Sequence, residues 1–302
     1  MERDLVMRFN HQNPISAFLR NVIALNPTEF AACLMVVFYV IAFLLGMREK
    51  QRKRQFLHHV IMPALAKQFY SVTETNGDGL NELACYATGR RGCRSAMANI
   101  RLCNSHDFFS FFLLDRLTGN ENRILIGIDF LPEDSISPLV YCVVHNLVSK
   151  SFLASSPDVR AFARQMPLGY LPKSLVCITE NRECLLLTPR MVQALRGAEQ
   201  FFRYLHISDQ IDLLDLDPPD RGIRLCARLP QTEEESQALQ ELILATCELV
   251  DVVVSDEAIF PNREARESAI SARMRVRVAL SRDLFPAISA THSIMEQAKK
   301  MD

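Results

Sequence analysis

The sequence predicts an α/β (α+β) cytosolic domain, preceded by one N-terminal transmembrane helix and followed by a C-terminal helical extension. Three observations predict it. Eighteen residues from Phe30 to Met47 carry no charge and end abruptly in a basic cluster. Short β candidates then alternate with capped amphipathic helices as far as about residue 260. Beyond that, the chain becomes arginine-rich with helical spacing. The expected segments are a lumenal N-terminus at 1–29, a membrane helix at 30–47, the domain at 48–260 and the extension at 261–302.

Each element has a physical reason. Over residues 1–29, "PISAFLRNVIAL" places Ile15, Phe18, Leu19, Val22, Ile23 and Leu25 mostly on one side, which suits a membrane surface. In the uncharged run that follows, only the Cys33 thiol and the Tyr39 hydroxyl are polar. As a helix it reaches about 27 Å, close to the thickness of the endoplasmic reticulum bilayer. A soluble amphipathic helix would show a polar stripe every three or four residues, and none is present. Arg48, Lys50, Arg52, Lys53 and Arg54 follow at once, whereas residues 10–29 carry only Arg20. Positive residues stay on the cytosolic side, so the larger C-terminal part is expected there. The long n-region and the lack of a small-residue cleavage site argue for an uncleaved anchor.

The stretch "REKQRKRQFLHHVIMPALAKQFYSV" reads as helix with a kink or break at Pro63, and "TNGDG" as a turn. The β candidates are "ELACYATG", "RILIGIDF", "LVYCVVHNLV", "SLVCITEN", "FRYLHIS" and "IRLCARL". Thr188 before Pro189 marks one helix start. Thr232 with Glu235 forms a capping box for another, whose apolar stripe is Leu239, Leu242, Ile243, Val250 and Val253. In the terminal segment, Ile270, Met274 and Val278 share one helical face. Arg263, Arg266, Arg273 and Arg277 share another, with Arg275 and Arg282 beside them. Docked by its apolar stripe, such a helix would offer arginines to a phosphate backbone. A merely solvated charged face is the simpler reading of the same pattern. Pro286 ends or kinks the helix.

Composition narrows the function. A net charge of −1 over 302 residues gives no global signature of a nucleic-acid binder. The nine cysteines contain no C-x₂₋₄-C pair, so they make an improbable zinc site and suit a reducing compartment. Asn26-Pro27-Thr28 is no glycosylation sequon, because proline occupies its centre. No P-loop, dinucleotide fingerprint, G-x-S-x-G or H-E-x-x-H occurs. Neighbouring His58 and His59 point about 100° apart on a helix, and His106-Asp107 implies no nucleophile. "ETNGDGLNELAC" starts like a calcium loop with Glu74, Asn76, Asp78 and Gly79, but Cys85 stands where the bidentate glutamate belongs. No catalytic, cofactor or metal residue is expected, and no enzyme.

The serial order of several stretches is itself informative. "FLLGMREKQRKRQFL" is followed by "CYATGRRGCRSAMANIRLC", then "LGYLPKSLVCITENRECLLLTPRMVQALRGAEQFFRYLHISDQ", and finally "FPNREARE". In this order the chain resembles the calumin family, the coiled-coil subunits of the PAT intramembrane chaperone complex. The resemblance implies a subunit of the multipass translocon in the endoplasmic reticulum membrane. It implies as partners an Asterix-like small membrane protein, the Sec translocon, the ribosome, nascent multi-spanning proteins and the bilayer. It makes Arg263, Arg266, Arg273, Arg275, Arg277 and Arg282 a candidate ribosome contact. Two departures stand out. The lumenal stretch offers only Glu2, Asp4 and Glu29 in place of an acidic calcium-binding segment, and the coiled coil is cut short near Pro286. A membrane-tethered adaptor without ribosome contact would share the same anchor and domain.

Overall fold

In the computed structural model the described residues are 27–76, 82–101, 121–131, 138–181, 186–209, 221–255, 267, 270, 271 and 273–275. The chain divides into two units, Met1–Arg52 with Cys103–Asn120 and Lys53–Leu102 with Glu121–Asp302. Helix α1 spans Pro27–Phe56, with Pro27 opening it and Glu29 in its first turn. Both suit a helix N-terminus. The uncharged run and the basic cluster therefore lie on one continuous helix.

The Pro63 expectation takes a specific form. Residues Leu57–Ile61 make one wide π turn, closed by the Met62 N–H on the Leu57 carbonyl, before α2 runs over Met62–Ala66. A proline at 63 has no N–H for the carbonyl of residue 59, and its ring crowds that carbonyl. Widening the preceding turn relieves the clash without ending the helix. Leu57, Ile61, Ala64 and Leu65 are buried by this passage.

A nine-stranded sheet dominates the second unit. Its strands are β1 Ser71–Asn76, β2 Glu82–Thr88, β3 Cys93–Arg101, β4 Arg123–Phe130, β5 Val140–His145, β6 Arg164–Met166, β7 Leu175–Thr179, β8 Phe202–Ser208 and β9 Gly222–Arg228. The spatial order is β1-β2-β3-β4-β9-β8-β5-β7-β6, and every neighbouring pair is antiparallel. The broad α/β expectation thus resolves to α+β. Strands β3 and β4 alternate between buried and open residues, as antiparallel strands with one wet face do.

One sheet face carries the main core. The π turn, α2, α5 (Pro189–Gly197) and α6 (Glu233–Val254) bring Leu65, Leu195, Leu242 and Val250 against Ile100, Ile126, Leu205 and Leu225. On the other face α3 (Ser149–Ser155) and α4 (Pro157–Phe162) cover the β5, β7 and β8 region. Phe152 and Val159 there meet Val140, Cys142, Val144 and Ile178. Cover on both faces is why β5 reads as the unbroken apolar run "VYCVV".

Both expected caps are present. Thr188 Oγ1 accepts from the Met191 N–H at 3.2 Å. Thr232 Oγ1 accepts from the Glu235 N–H at 3.2 Å, while the Glu235 carboxylate accepts from the Gln231 N–H at 2.7 Å. Gly222 is required by close approach, since a Cβ there would lie 2.2 Å from the Ile128 carbonyl oxygen.

Candidate functional site

Two features of the sequence point to function, the apolar helix and the terminal arginines. On α1, apolar side chains are open on all sides, with Met35 72% and Phe38 49% exposed. The helix is long and apolar enough to cross a bilayer. At its basic end Arg48 and Arg52 are exposed and Lys53 is buried. The Lys50 side chain lies outside the described set. Arg54 Nε donates to Glu74 Oε1 at 2.8 Å, and His58 Nε2 lies 3.1 Å from Glu74 Oε2. Glu74, the first residue of the stretch that only starts like a calcium loop, is thus engaged by two basic side chains. Its backbone pairs directly with Cys85, while Asp78 and Gly79 lie outside the described residues.

The terminal arginines divide. Arg273 is 5% exposed and sits between Glu180, just after β7, and Asp209, just after β8. Its Nε donates to Glu180 Oε1 at 2.9 Å, one Nη donates to Glu180 Oε2 and the other to Asp209 Oδ2. The guanidinium carbon lies 5.2 Å above the Phe162 ring centre at the end of α4. Asp209 is itself fixed, because its Oδ1 accepts from the Leu139 N–H at 3.2 Å. Burial alone would lower the arginine pKa, but the Glu180 hydrogen bond and the nearby Asp209 outweigh it and hold the value above normal.

This reverses the expected seating of the terminal helix. Its arginine face was expected outward and its apolar stripe inward. Instead Arg273 points into the domain, Ile270 is half-buried and Met274 is 63% exposed. Two carboxylates, Asp209 buried and Glu180 half-buried, provide a stronger anchor for this segment than a methionine does. Arg273, as seated, is therefore not open to a ribosomal phosphate. Arg275 is exposed, with Nε on the Ser271 carbonyl at 3.3 Å. Arg263, Arg266, Arg277 and Arg282 lie outside the described residues.

The fold also brings together groups that their separation in sequence conceals. His206 on β8 lies 2.8 Å by Nε2 from Asp158 Oδ2 on α4, and both are buried. They line a cavity of about 210 Å³ with Phe152, Ser155, Ser156, Tyr204 and Arg224. His206 Nε2 is engaged by Asp158, and the Ser155 hydroxyl donates to the Phe152 carbonyl at 3.0 Å. Forty-eight residues separate this pair, so no local motif reveals it. His106 and Asp107 lie outside the described residues.

Cys85, Cys93, Cys142, Cys177, Cys226 and Cys247 are buried free thiols. Burial pushes Cys85 and Cys247 up to about 12, and Cys93 and Cys177 to about 11. They behave as small hydrophobes and not as nucleophiles. Among the described residues no group of three His, Cys, Asp or Glu is placed to hold a metal ion.

Comparison with known proteins adds one finding. The family model described as PAT complex subunit CCDC47 matches residues 27–284. No curated protein matches the chain.

Proposed function

Since the chain belongs to the CCDC47 family of PAT complex subunits, we propose that it serves the ribosome-bound translocon of the endoplasmic reticulum as a biogenesis factor for multi-spanning membrane proteins. Helix α1 is its single anchor, with the short N-terminus lumenal and the sheet domain cytosolic. The observation that carries this reading is the fully apolar, open-sided helix in a chain of this family. The family is not a known enzyme family, and the protein's work is binding.

A nascent polar or charged transmembrane residue costs several kcal/mol at mid-bilayer until its partner helix arrives, so a temporary host lowers that cost. The proposed partners are an Asterix-like small membrane protein, the Sec translocon and the ribosome. Arg275 with Arg263, Arg266, Arg277 and Arg282 carries the ribosome contact, and Arg273 fixes the helix that bears them.

A tagged pull-down from mild-detergent microsomes, read by mass spectrometry, tests this. Ribosomal proteins, Sec subunits and a small multi-spanning partner are expected together. A preparation containing none of them removes the translocon role. Retention of the protein in the membrane after alkaline extraction tests the anchor separately.

A further inference from the structure

One buried acceptor lacks a donor where the fold leaves room for one. Asp158 is 0% exposed and lines the cavity of about 210 Å³. Its Oδ2 lies 2.8 Å from His206 Nε2, while its Oδ1 has no hydrogen-bond partner. A buried carboxylate oxygen without a donor costs free energy. The register explains why the nearest arginine of the cavity does not supply one. Arg224 of β9 stands opposite His206 of β8, but its Nη1 donates to Asp129 Oδ1 at 2.7 Å. On its other side Arg224 pairs with Gly127 of β4, where a Cβ would lie 2.9 Å from that same Nη1. The strand-interior glycine thus makes room for the guanidinium, and Asp129 neutralises it. Among the described residues Asp158 pairs with no lysine or arginine.

The walls narrow what the cavity takes. The Phe152 and Tyr204 rings lie 4.8 Å apart, and His206 stands edge-on to Phe152 at 5.5 Å. Aromatic rings beside a carboxylate suit a flat cation, which stacks on a ring and donates N–H bonds in its own plane. The volume is below the roughly 300–1,000 Å³ of pockets for drug-sized ligands, which excludes a nucleotide and admits a single side chain. The domain already uses this chemistry at the other end of α4. There Phe162 and the carboxylates of Glu180 and Asp209 hold the Arg273 guanidinium.

We propose that this cavity receives one guanidinium group, the arginine side chain of a protein partner, with an N–H on Asp158 Oδ1 and its plane against the aromatic wall. The bond is charge-assisted on both sides and gives the buried oxygen the donor that the domain withholds. The inference concerns the sheet domain alone and does not depend on α1 crossing a bilayer.

The test titrates the full chain in mild detergent with N-acetylarginine N-methylamide and with its citrulline analogue, which keeps the shape and lacks the charge. Calorimetry should show the arginine compound binding at one site, and the citrulline compound weaker by roughly tenfold or more. Asp158→Asn should lose a similar factor. If that variant unfolds through its His206 contact, Ser155→Phe takes its place: Ser155 is exposed and lines the cavity, so bulk there blocks entry at little cost to the fold. Equal binding of the two compounds, or binding unchanged in both variants, overturns the proposal. Binding of neither leaves the cavity to water and overturns it as well. Methylguanidinium binding where the blocked arginine does not would assign the site to a small free cation and overturn the protein partner. In microsomes a photo-crosslinking benzoylphenylalanine at Ala154, exposed on α3 beside Ser155, should give protein adducts that the arginine compound suppresses and the citrulline compound does not. Adducts indifferent to both competitors count against the partner in the same way.

Discussion

Arg273 is the residue on which the terminal segment depends. Removing one partner from a buried ion cluster leaves uncompensated charge, here the carboxylates of Glu180 and Asp209. Arg273→Ala is expected to destabilise the domain by about 3 kcal/mol. A thermal melt in detergent reads this, together with proteolytic release of the segment beyond residue 255. A variant as stable and as protease-resistant as the parent would show that the cluster anchors nothing.

The buried thiols make a second prediction at this scale. Their folded pKa values are raised to about 11 or 12, so the unfolded thiols ionise first as pH rises. The contribution is complete below the ordinary thiol value near pH 9 and is lost between there and about pH 12. The denaturation midpoint should fall over that window, less steeply in Cys85→Ala/Cys247→Ala. At pH 8 a thiol reagent should modify these cysteines only after denaturant is added.

At the scale of elements, local chemistry sets the helix boundaries. Thr232 caps α6, the longest helix over the core, so Thr232→Ala should cost about 1 kcal/mol. An unchanged denaturant midpoint would mean that packing alone fixes that end. For α1 the test is charge. Val37→Arg places a guanidinium mid-span at a cost of about 3 kcal/mol, so less of the chain should survive alkaline extraction of microsomes. If this variant stays as firmly in the membrane as the parent, α1 is not the span.

At the scale of the whole molecule, the antiparallel order places the first four strands and β9 side by side. Strand β8 joins that half to the part covered by α3 and α4. This arrangement gathers Gly127, Arg224 and His206 from three separate strands. The same order brings the ends of β7 and β8 to either side of β5, where Glu180 and Asp209 receive Arg273. Neither cluster is local in the chain, and both follow from strand order.

The sequence by itself determined the parts that depend on near neighbours. The apolar helix and its basic end were legible because a run without charge is a local signal, as were the Thr188 and Thr232 caps. Strands β4 and β8 were legible to the residue, because "RILIGIDF" and "FRYLHIS" carry β-branched and aromatic side chains. Strand β3 was not, since "CRSAMANIR" fills its core side with Ala96 and Ala98, which have little strand preference of their own. β1 hid at the end of a helical pattern, and β6 is only three residues long. Only the tertiary structure decided that Arg273 turns inward while Met274 stays exposed. Helical periodicity ranks faces by hydrophobicity, but two carboxylates brought together from distant strand ends outcompete a methionine. Such a pairing exists only once the sheet has formed.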